Sequence, residues 1–332
     1  MIVLGIETSC DDTSAAVYDG KQLLSNVIST QLIHRKFGGV VPELASRAHI
    51  QMILPVIRQA LQQAEITEKD IEGIAVTYGP GLAGSLLVGL SVAKGMALSL
   101  NVPIVGVNHL EGHIWGNQLA DSELTPPFIV LVVSGGHTQI VYAEAWGAYR
   151  ILGSTRDDAA GEAFDKVGKL LNIGYPGGPI IEKMAREGQA DAIRFPRAFM
   201  EEDNYEFSFS GLKTAVLNHV QAIGPEQTQL NLANICASFQ QAVIDVLVEK
   251  TVSAALKMGI STLCLAGGVS ANKTLQNRFR EKCDPLQIHV IAPPPSLCTD
   301  NGGMIACAGY AKLTSGQYSD LSLSPHPSLS LV

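Results

Sequence analysis

Phe128-Ile-Val-Leu-Val-Val-Ser-Gly-Gly-His-Thr-Gln-Ile-Val-Tyr142 reads as an apolar strand, a tight Gly-Gly turn and a returning strand. The start of the chain answers it. Residues 2–8 form a strand, Glu7-Thr-Ser-Cys-Asp-Asp-Thr13 a polar turn, and Ser14 to Val17 the return. Thr13-Ser-Ala-Ala-Val-Tyr18 parallels Thr138-Gln-Ile-Val-Tyr142. This weak internal repeat predicts two similarly built halves, each opening on a hairpin whose turn could cradle a phosphate.

Around the hairpins, helical and strand patterns alternate, which predicts an α/β protein. Helices are expected over 43–64, from the Gly79–Gly84 turn to about 100, over 157–171, 230–257 and 272–282, and from the 298–302 island to about 313. The helix over 230–257 reads as amphipathic. Strands are expected over 71–77 and 262–266, and residues 191–212 read as irregular. The Pro-containing loop over 121–127 is a plausible boundary. It places one lobe at 1–125 plus about 297–325, and a second at 126–296.

The chain has 332 residues, 46% hydrophobic and 16% charged, enough for two globular domains with their own cores. Its net charge of −8 argues against a generic nucleic-acid binder, although a local basic patch or a basic partner could still supply phosphate contacts. No signal peptide is read at the start. No apolar run reaches the ~20 residues of a membrane span; the best, 82–100, is broken by Gly84, Gly89, Lys94 and Gly95. The six cysteines show no CxxC and no framework spacing, so reduced thiols and a cytoplasmic location are expected.

His109-Leu-Glu-Gly-His113 is the strongest chemical signal. Two histidines four apart on a helix share one face, and both rings can reach one ion. Asp300, within Cys298-Thr-Asp-Asn-Gly302, could fold back as a third ligand. Two imidazoles and one carboxylate leave coordination positions open for a substrate. A zinc protease would need Glu directly after the first His, where Leu110 stands. Glu111 points away from both rings, so that reading is set aside.

Four Gly-rich turns follow strands: 79–84, 134–136, 175–179 and 267–268. Such turns bare backbone N–H groups toward anions, and four together favour a nucleotide. Walker A and GxGxxG patterns are missing, which excludes P-loop and Rossmann readings. Glu7, Asp11 and Asp12 follow the first strand, and carboxylates beside a phosphate imply an intervening cation or a base. Asp165 could accept ribose or ammonium hydrogen bonds. Arg194, Arg197, Lys213, Lys273, Arg278 and Arg280 are candidate phosphate-backbone contacts.

Taken together, these islands resemble the TsaD family, also called Kae/Gcp. The matching pieces run in order along nearly the whole chain: Gly5-Ile-Glu-Thr-Ser-Cys-Asp-Asp12, Gly38-Gly-Val-Val-Pro-Glu-Leu-Ala-Ser-Arg47, Gly79-Pro-Gly-Leu82, Lys94-Gly95 to His113-Ile114, Val133-Ser-Gly-Gly-His137, Asp157-Asp-Ala-Ala-Gly-Glu-Ala-Phe-Asp-Lys166, Tyr175-Pro-Gly-Gly178, Phe207-Ser-Phe-Ser-Gly-Leu-Lys213, Ala266-Gly-Gly-Val-Ser-Ala-Asn272 and Cys298-Thr-Asp-Asn301. The compact length resembles the bacterial branch.

The resemblance implies two duplicated α/β lobes of the actin/sugar-kinase/Hsp70 (ASKHA) type, with a nucleotide cleft between them. It implies transfer of a threonylcarbamoyl group from L-threonylcarbamoyl-adenylate to N6 of the adenosine 3′ of the anticodon, in tRNAs reading ANN codons, with release of AMP. It places the metal on His109, His113 and Asp300, Fe2+ first and Zn2+ as the alternative. Substrate contacts fall on Val132, Val133, Ser134, Gly135, Gly136, Asp165, Gly178, Glu182 and Asn272. Many members carry Asp where this chain has Glu182, which puts that contact in doubt. Asp11 or Asp12 would accept the amine proton. A TsaB-like paralogue and a TsaE-like ATPase are the implied protein partners, with no membrane. The rival readings are an ATP-dependent kinase or ATPase of the same fold, which leaves the histidines without a role, and a non-catalytic nucleotide-binding scaffold.

Overall fold

Val-Leu-Gly-Ile-Glu, the strand β1 (Val3–Glu7), is buried along its whole length. A strand covered on both faces carries apolar residues without alternation. Its side chains still alternate in direction. Leu4 and Ile6 join one apolar cluster, while Val3 joins another. Gly5 lies on the Val3 face and leaves room for a helix backbone.

In the computed structural model, which describes residues 1–200 and 204–332, the chain divides into two compact units. Unit 1 is Met1–Leu124 with Pro293–Val332, and unit 2 is Thr125–Ala292. In unit 1, β1 is followed by β2 (Asp12–Tyr18), β3 (Leu23–Thr30), α1 (Pro42–Gln63), β4 (Gly73–Gly79), α2 (Ala83–Leu100), β5 (Ile104–Asn108) and α3 (His109–Ala120). Unit 2 carries β6 (Phe128–Val133), β7 (Thr138–Ala145), β8 (Ala148–Ser154), α4 (Ala160–Leu170), α5 (Gly177–Ala185), α6 (Ser210–Leu230), α7 (Leu232–Met258), β9 (Thr262–Ala266), α8 (Lys273–Cys283) and β10 (His289–Ile291). The chain then returns to unit 1 with α9 (Pro295–Cys298) and α10 (Gly302–Thr314).

The sheets are built alike. Unit 1 has the order β3-β2-β1-β4-β5, and unit 2 has β8-β7-β6-β9-β10. In each, the first three strands form an antiparallel meander, and the last two add in parallel after helical crossovers. The repeat read from the two hairpins is therefore a duplication of a whole topology.

In unit 1, α1 and α2 cover the Leu4–Ile6 face with Ile53, Val56, Ile57 and Leu90. Helix α10 covers the other face with Met304, Ile305, Ala308 and Leu313. It packs directly on β1: a Cβ added at Gly5 would lie 2.3 Å from the Gly302 carbonyl oxygen and 2.5 Å from the Ala306 nitrogen. Those neighbours are backbone and cannot swing aside. Gly5→Ala is expected to destabilise unit 1 by about 3 kcal/mol through overpacking, read as a lower urea midpoint.

Helix α7 departs from the amphipathic expectation. Buried residues occupy all its sides, from Ile235 to Ala255. Its charges are matched locally: Asp245 with Arg197 at 2.8 Å, Glu249 with Lys282 at 2.8 Å, and Lys250 with the Asn204 carbonyl at 2.8 Å. Pairing is what permits charges in a helix this buried. Both α2 and α7 are long and apolar enough to cross a bilayer by length and composition, where the sequence reading found no such run. Here α2 packs on β4 and α1, and α7 is a core helix against α5, α8 and β6.

Three strands, β3, β5 and β8, were not expected. The helix expected from residue 157 begins only at Ala160, because Asp157 is used otherwise. Its carboxylate accepts from the backbone N–H of Phe209 at 2.8 Å and from the hydroxyls of Ser208 and Ser210, tying down the start of α6. Within the stretch expected to be irregular, α6 already starts at Ser210, and residues 201–203 lie outside the described residues.

Candidate metal and nucleotide sites

Strand β5 runs directly into α3, and Asn108 makes the joint. Its Oδ1 accepts from the backbone N–H of Leu110 at 2.8 Å and of Glu111 at 3.3 Å, a side-chain N-cap. His109 is thereby the first helical residue and His113 lies one turn later. Asp300 is set by the start of α10. Asn301 caps that helix through Met304 N at 2.9 Å, and Gly302 N donates to Ser14 Oγ at 2.7 Å. A Cβ at Gly302 would meet the backbone of β2, so the Asp300 turn is seated hard against the first hairpin.

These constraints bring His109, His113 and Asp300 together, with one ligand atom of each lying within 4.8 Å of the others. Asp300 Oδ1 is 3.2 Å from His113 Nε2 and 3.5 Å from His109 Nε2. Both rings are buried, while the Asp300 side chain is 21% exposed, so the cluster opens on the Asp300 side.

Glu7 completes the arrangement. Its Oε2 lies 3.0 Å from His109 Nδ1 and accepts from Thr77 Oγ1 at 2.6 Å, while its Oε1 accepts from Ser9 N at 2.5 Å. A carboxylate on the far nitrogen fixes a histidine's orientation and leaves Nε2 for an ion. Burial raises the Glu7 carboxyl, but the His109 charge beside it outweighs that and holds it below the usual range. Burial opposes the charged imidazole of His109, but Asp300 and Glu7 prevail and push it up to about 9. The donor set, two imidazole nitrogens and a carboxylate oxygen facing one point, fits a divalent transition metal.

Asp11 and Asp12 lie in the first-hairpin turn of the same unit. Burial raises both carboxyls, and the Asp300 charge adds to it; Asp12 reaches about 7. Asp12 Oδ1 is buried without a hydrogen-bond partner among the described residues.

The other expected contacts all lie in unit 2. Val132 and Val133 are fully buried in β6, backbone included, so neither presents a surface to a ligand. Beyond them, the Ser134–Gly136 turn meets the start of α4, where Gly161 N donates to the Ser134 carbonyl at 3.1 Å. A Cβ at Gly161 would lie 2.5 Å from that oxygen, and one at Gly267 would lie 2.4 Å from the Val133 oxygen. Three Gly-rich segments thus converge at the end of β6. Asp165 Oδ1 accepts from Gly177 N at 2.7 Å, which joins α4 to the start of α5 beside Gly178. Glu182 Oε1 accepts from Lys273 N at 3.0 Å, and Asn272 caps α8 through Leu275 N at 2.9 Å while donating to Gln240. Asp165, Gly178, Glu182 and Asn272 are therefore linked through backbone bonds into one neighbourhood. Arg197, expected as a phosphate contact, is instead engaged by Asp245 and the Phe195 carbonyl.

Sequence reasoning placed Glu7 beside a phosphate and missed its bond to His109. The available signal was an acid at the end of a wholly apolar strand, since a buried charge needs a partner. Asn108 and Asn301 were missed as well, although each immediately precedes a helix.

The family model described as TsaD, tRNA N6-adenosine threonylcarbamoyltransferase, matches residues 22–307. The chain belongs to the TsaD family. It is 51% identical over 333 residues to the tRNA N6-adenosine threonylcarbamoyltransferase of Clostridioides difficile strain 630, covering 100% of this chain and 98% of that one. The Clostridium perfringens strain SM101 relative is 51% identical, with 99% and 98% covered. Among solved structures, HypF of T.kodakarensis aligns with a TM-score of 0.64 at 15% identity, covering 95% of this chain and 48% of that one. The activator of 2-hydroxyisocaproyl-CoA dehydratase from Clostridium difficile, with bound ADPNP, aligns at 0.56 and 11% identity, covering 95% and 97%. At such identities these two show the fold, which is of the ASKHA type. As TsaD family members are transferases acting on tRNA, the kinase and scaffold readings are set aside.

Proposed function

We propose that this TsaD family member moves the threonylcarbamoyl group of L-threonylcarbamoyl-adenylate to N6 of the adenosine 3′ of the anticodon, in tRNAs reading ANN codons, and releases AMP. His109, His113 and Asp300 would hold one divalent metal, Fe2+ first and Zn2+ as the alternative. The observation that carries this reading is the convergence of those three donors, with Glu7 orienting His109. When bound, the metal supplies Lewis-acid polarisation and a template for the substrate's oxygens.

The chain's own residues supply the rest. The amine N6 forms a bond to the carbamoyl carbon, and the bond from that carbon to the phosphate oxygen breaks. AMP leaves with the electron pair. Backbone N–H groups of Ser134, Gly135 and Gly136 are the donors for the developing negative charge. Asp165, Gly178, Glu182 and Asn272 form the nucleoside end. The glycines at 161, 177 and 267 let the backbones of those segments pack directly against one another. Glu182 already caps the start of α8, so its ribose contact would be shared with that role.

The proton of the attacking amine goes to Asp11 or Asp12. Burial, the largest influence on Asp12, raises its carboxyl toward neutrality, the direction that suits a group accepting a proton. Asp12→Asn is expected to lower kcat about 10²-fold with metal content unchanged, measured by single-turnover transfer. Equal loss in Asp11→Asn alone would give Asp11 the role.

The acidic chain works in the cytoplasm, with a TsaB-like paralogue and a TsaE-like ATPase helping to dock tRNA. The six cysteines, none of them in a disulfide among the described residues, and the exposed apolar Ile50, Leu54 and Leu87 support that setting. The test is transfer from purified threonylcarbamoyl-adenylate to tRNA by the chain with its partners, with and without chelator. Transfer that persists undiminished after complete metal removal would refute the metal's role, and ATP turnover without transfer would refute the activity.

A further inference from the structure

The N-cap of the ligand-bearing helix is itself held from outside. Asn108 presents Oδ1 to Leu110 and Glu111, and its Nδ2 donates to the Ser330 carbonyl at 2.8 Å. Both ends of the amide are committed, so the side chain has one orientation. The segment supplying that carbonyl lies along the ends of β4 and β5. Ser319 N donates to the Ile104 carbonyl at 2.8 Å and Gly106 N to Ser319 Oγ at 3.0 Å. Further on, His326 N donates to the Tyr78 carbonyl at 2.7 Å, and Gly81 N donates to the Pro327 carbonyl at 3.1 Å. The fit at Gly79 is close: a Cβ there would lie 2.1 Å from the His326 oxygen.

The Gly79–Leu82 loop also reaches His109, through Ser9. Leu82 N donates to the Ser9 carbonyl at 2.7 Å, and Ser9 Oγ lies 3.1 Å from His109 Nδ1. Residues 326–330 therefore touch both the joint that starts α3 and the Gly-rich loop that backs the His109 ring.

We propose that residues 326–330 are a strap that sets the metal ligands, with Asn108 as the positioning residue through which it acts. Ser330 fixes the Asn108 amide, and Asn108 fixes the first turn of α3. His109, the first residue of that turn, is thereby held with Nε2 toward Asp300. This rests on the metal reading of the His–His–Asp cluster. An N-cap alone stabilises a helix start; the strap adds direction, because it selects which end of the amide faces the helix.

Asn108→Asp separates the two roles. The carboxylate keeps an acceptor for Leu110 and Glu111 but cannot donate to Ser330. The probes are Zn2+ titration of the metal-free full-length protein and hydrogen exchange of the Leu110 and Glu111 amides in the absence of metal. Asn108→Asp, and a chain lacking residues 329–332, are expected to bind Zn2+ about tenfold more weakly, the scale of an outer-shell loss. Both should speed exchange at those amides while β1 and β4 exchange as in wild type. The deletion in the Asn108→Asp background should add nothing, because both changes remove one bond.

Wild-type affinity and exchange in Asn108→Asp, with losses only in Asn108→Ala, would overturn the strap and leave a simple cap. Should the deleted chain fail to fold, the full-length Asn108→Asp protein decides alone. Absence of Zn2+ binding by the wild type would instead refute the metal reading, while exchange at Leu110 and Glu111 would still report on the strap.

Discussion

His113→Ala is expected to empty the proposed metal site and lower the transfer rate by about 10³-fold, because the Lewis-acid stabilisation a metal there would supply, several kcal/mol, is lost. The fold should survive. The ring is buried beside Asp300, and its loss leaves a cavity worth a few kcal/mol at most by large-to-small precedent. Elemental analysis and single-turnover transfer measure the two effects separately. A variant that retains stoichiometric metal and the wild-type rate would sink the assignment.

The same site predicts a pH dependence for metal uptake. The His109 imidazole is pushed up to about 9, so the ring carries a proton through the neutral range. An incoming cation must displace that proton. Apparent affinity should therefore rise with pH, by about tenfold per unit until pH 9, and level off above it. Co2+ titrations at three pH values would show this, and a flat profile would contradict it. Glu7 acts in the opposite sense to a competitor: as a carboxylate it keeps the ring aligned in both the protonated and the metal-bound form.

Lys312→Met should be the most destabilising surface-directed change in unit 1. Lys312 Nζ lies 2.9 Å from Glu111 Oε2, and the Glu111 side chain is only 8% exposed. Glu111 sits on α3 between the two histidines, on a face turned away from them, and Lys312 sits near the end of α10. Removing the cation leaves a buried carboxylate without compensation, at a cost of about 3 kcal/mol. Replacing both residues, as Glu111→Leu with Lys312→Met, should recover most of that loss, since the pair's net contribution is small compared with the penalty of breaking it. Urea unfolding of the two variants gives the answer. Equal stability of Lys312→Met and wild type would show that water reaches Glu111. The pair also braces α3 against the helix that follows Asp300, so the single variant should weaken metal binding alongside stability.

The parts of this protein that were legible in its sequence are those whose physics is local. The two opening hairpins showed themselves by strand-length apolar runs and glycine turns, and the His109–His113 spacing by the helical period. The resemblance carried Asp300, Asp165, Gly178, Glu182 and Asn272 into candidate roles, and the structure shows what each touches. Strand β3 was invisible because Leu-Leu-Ser-Asn-Val-Ile-Ser-Thr mixes polar and apolar residues on a half-buried edge. The start of α4 was misplaced because Asp157 serves a loop some fifty residues further on.

By itself, then, the sequence determined the α/β class and the duplicated hairpins and offered the candidate donor residues, since periodicity, turn chemistry and residue type act over a few positions. Only the tertiary structure decided that Glu7 holds His109, that Lys312 answers Glu111, and that Ser330 grips Asn108. Those pairs are separated by 102, 201 and 222 positions along the chain. Each partner is chosen by how sheets and helices close on one another, because a buried polar group takes whichever complementary atom the packing delivers.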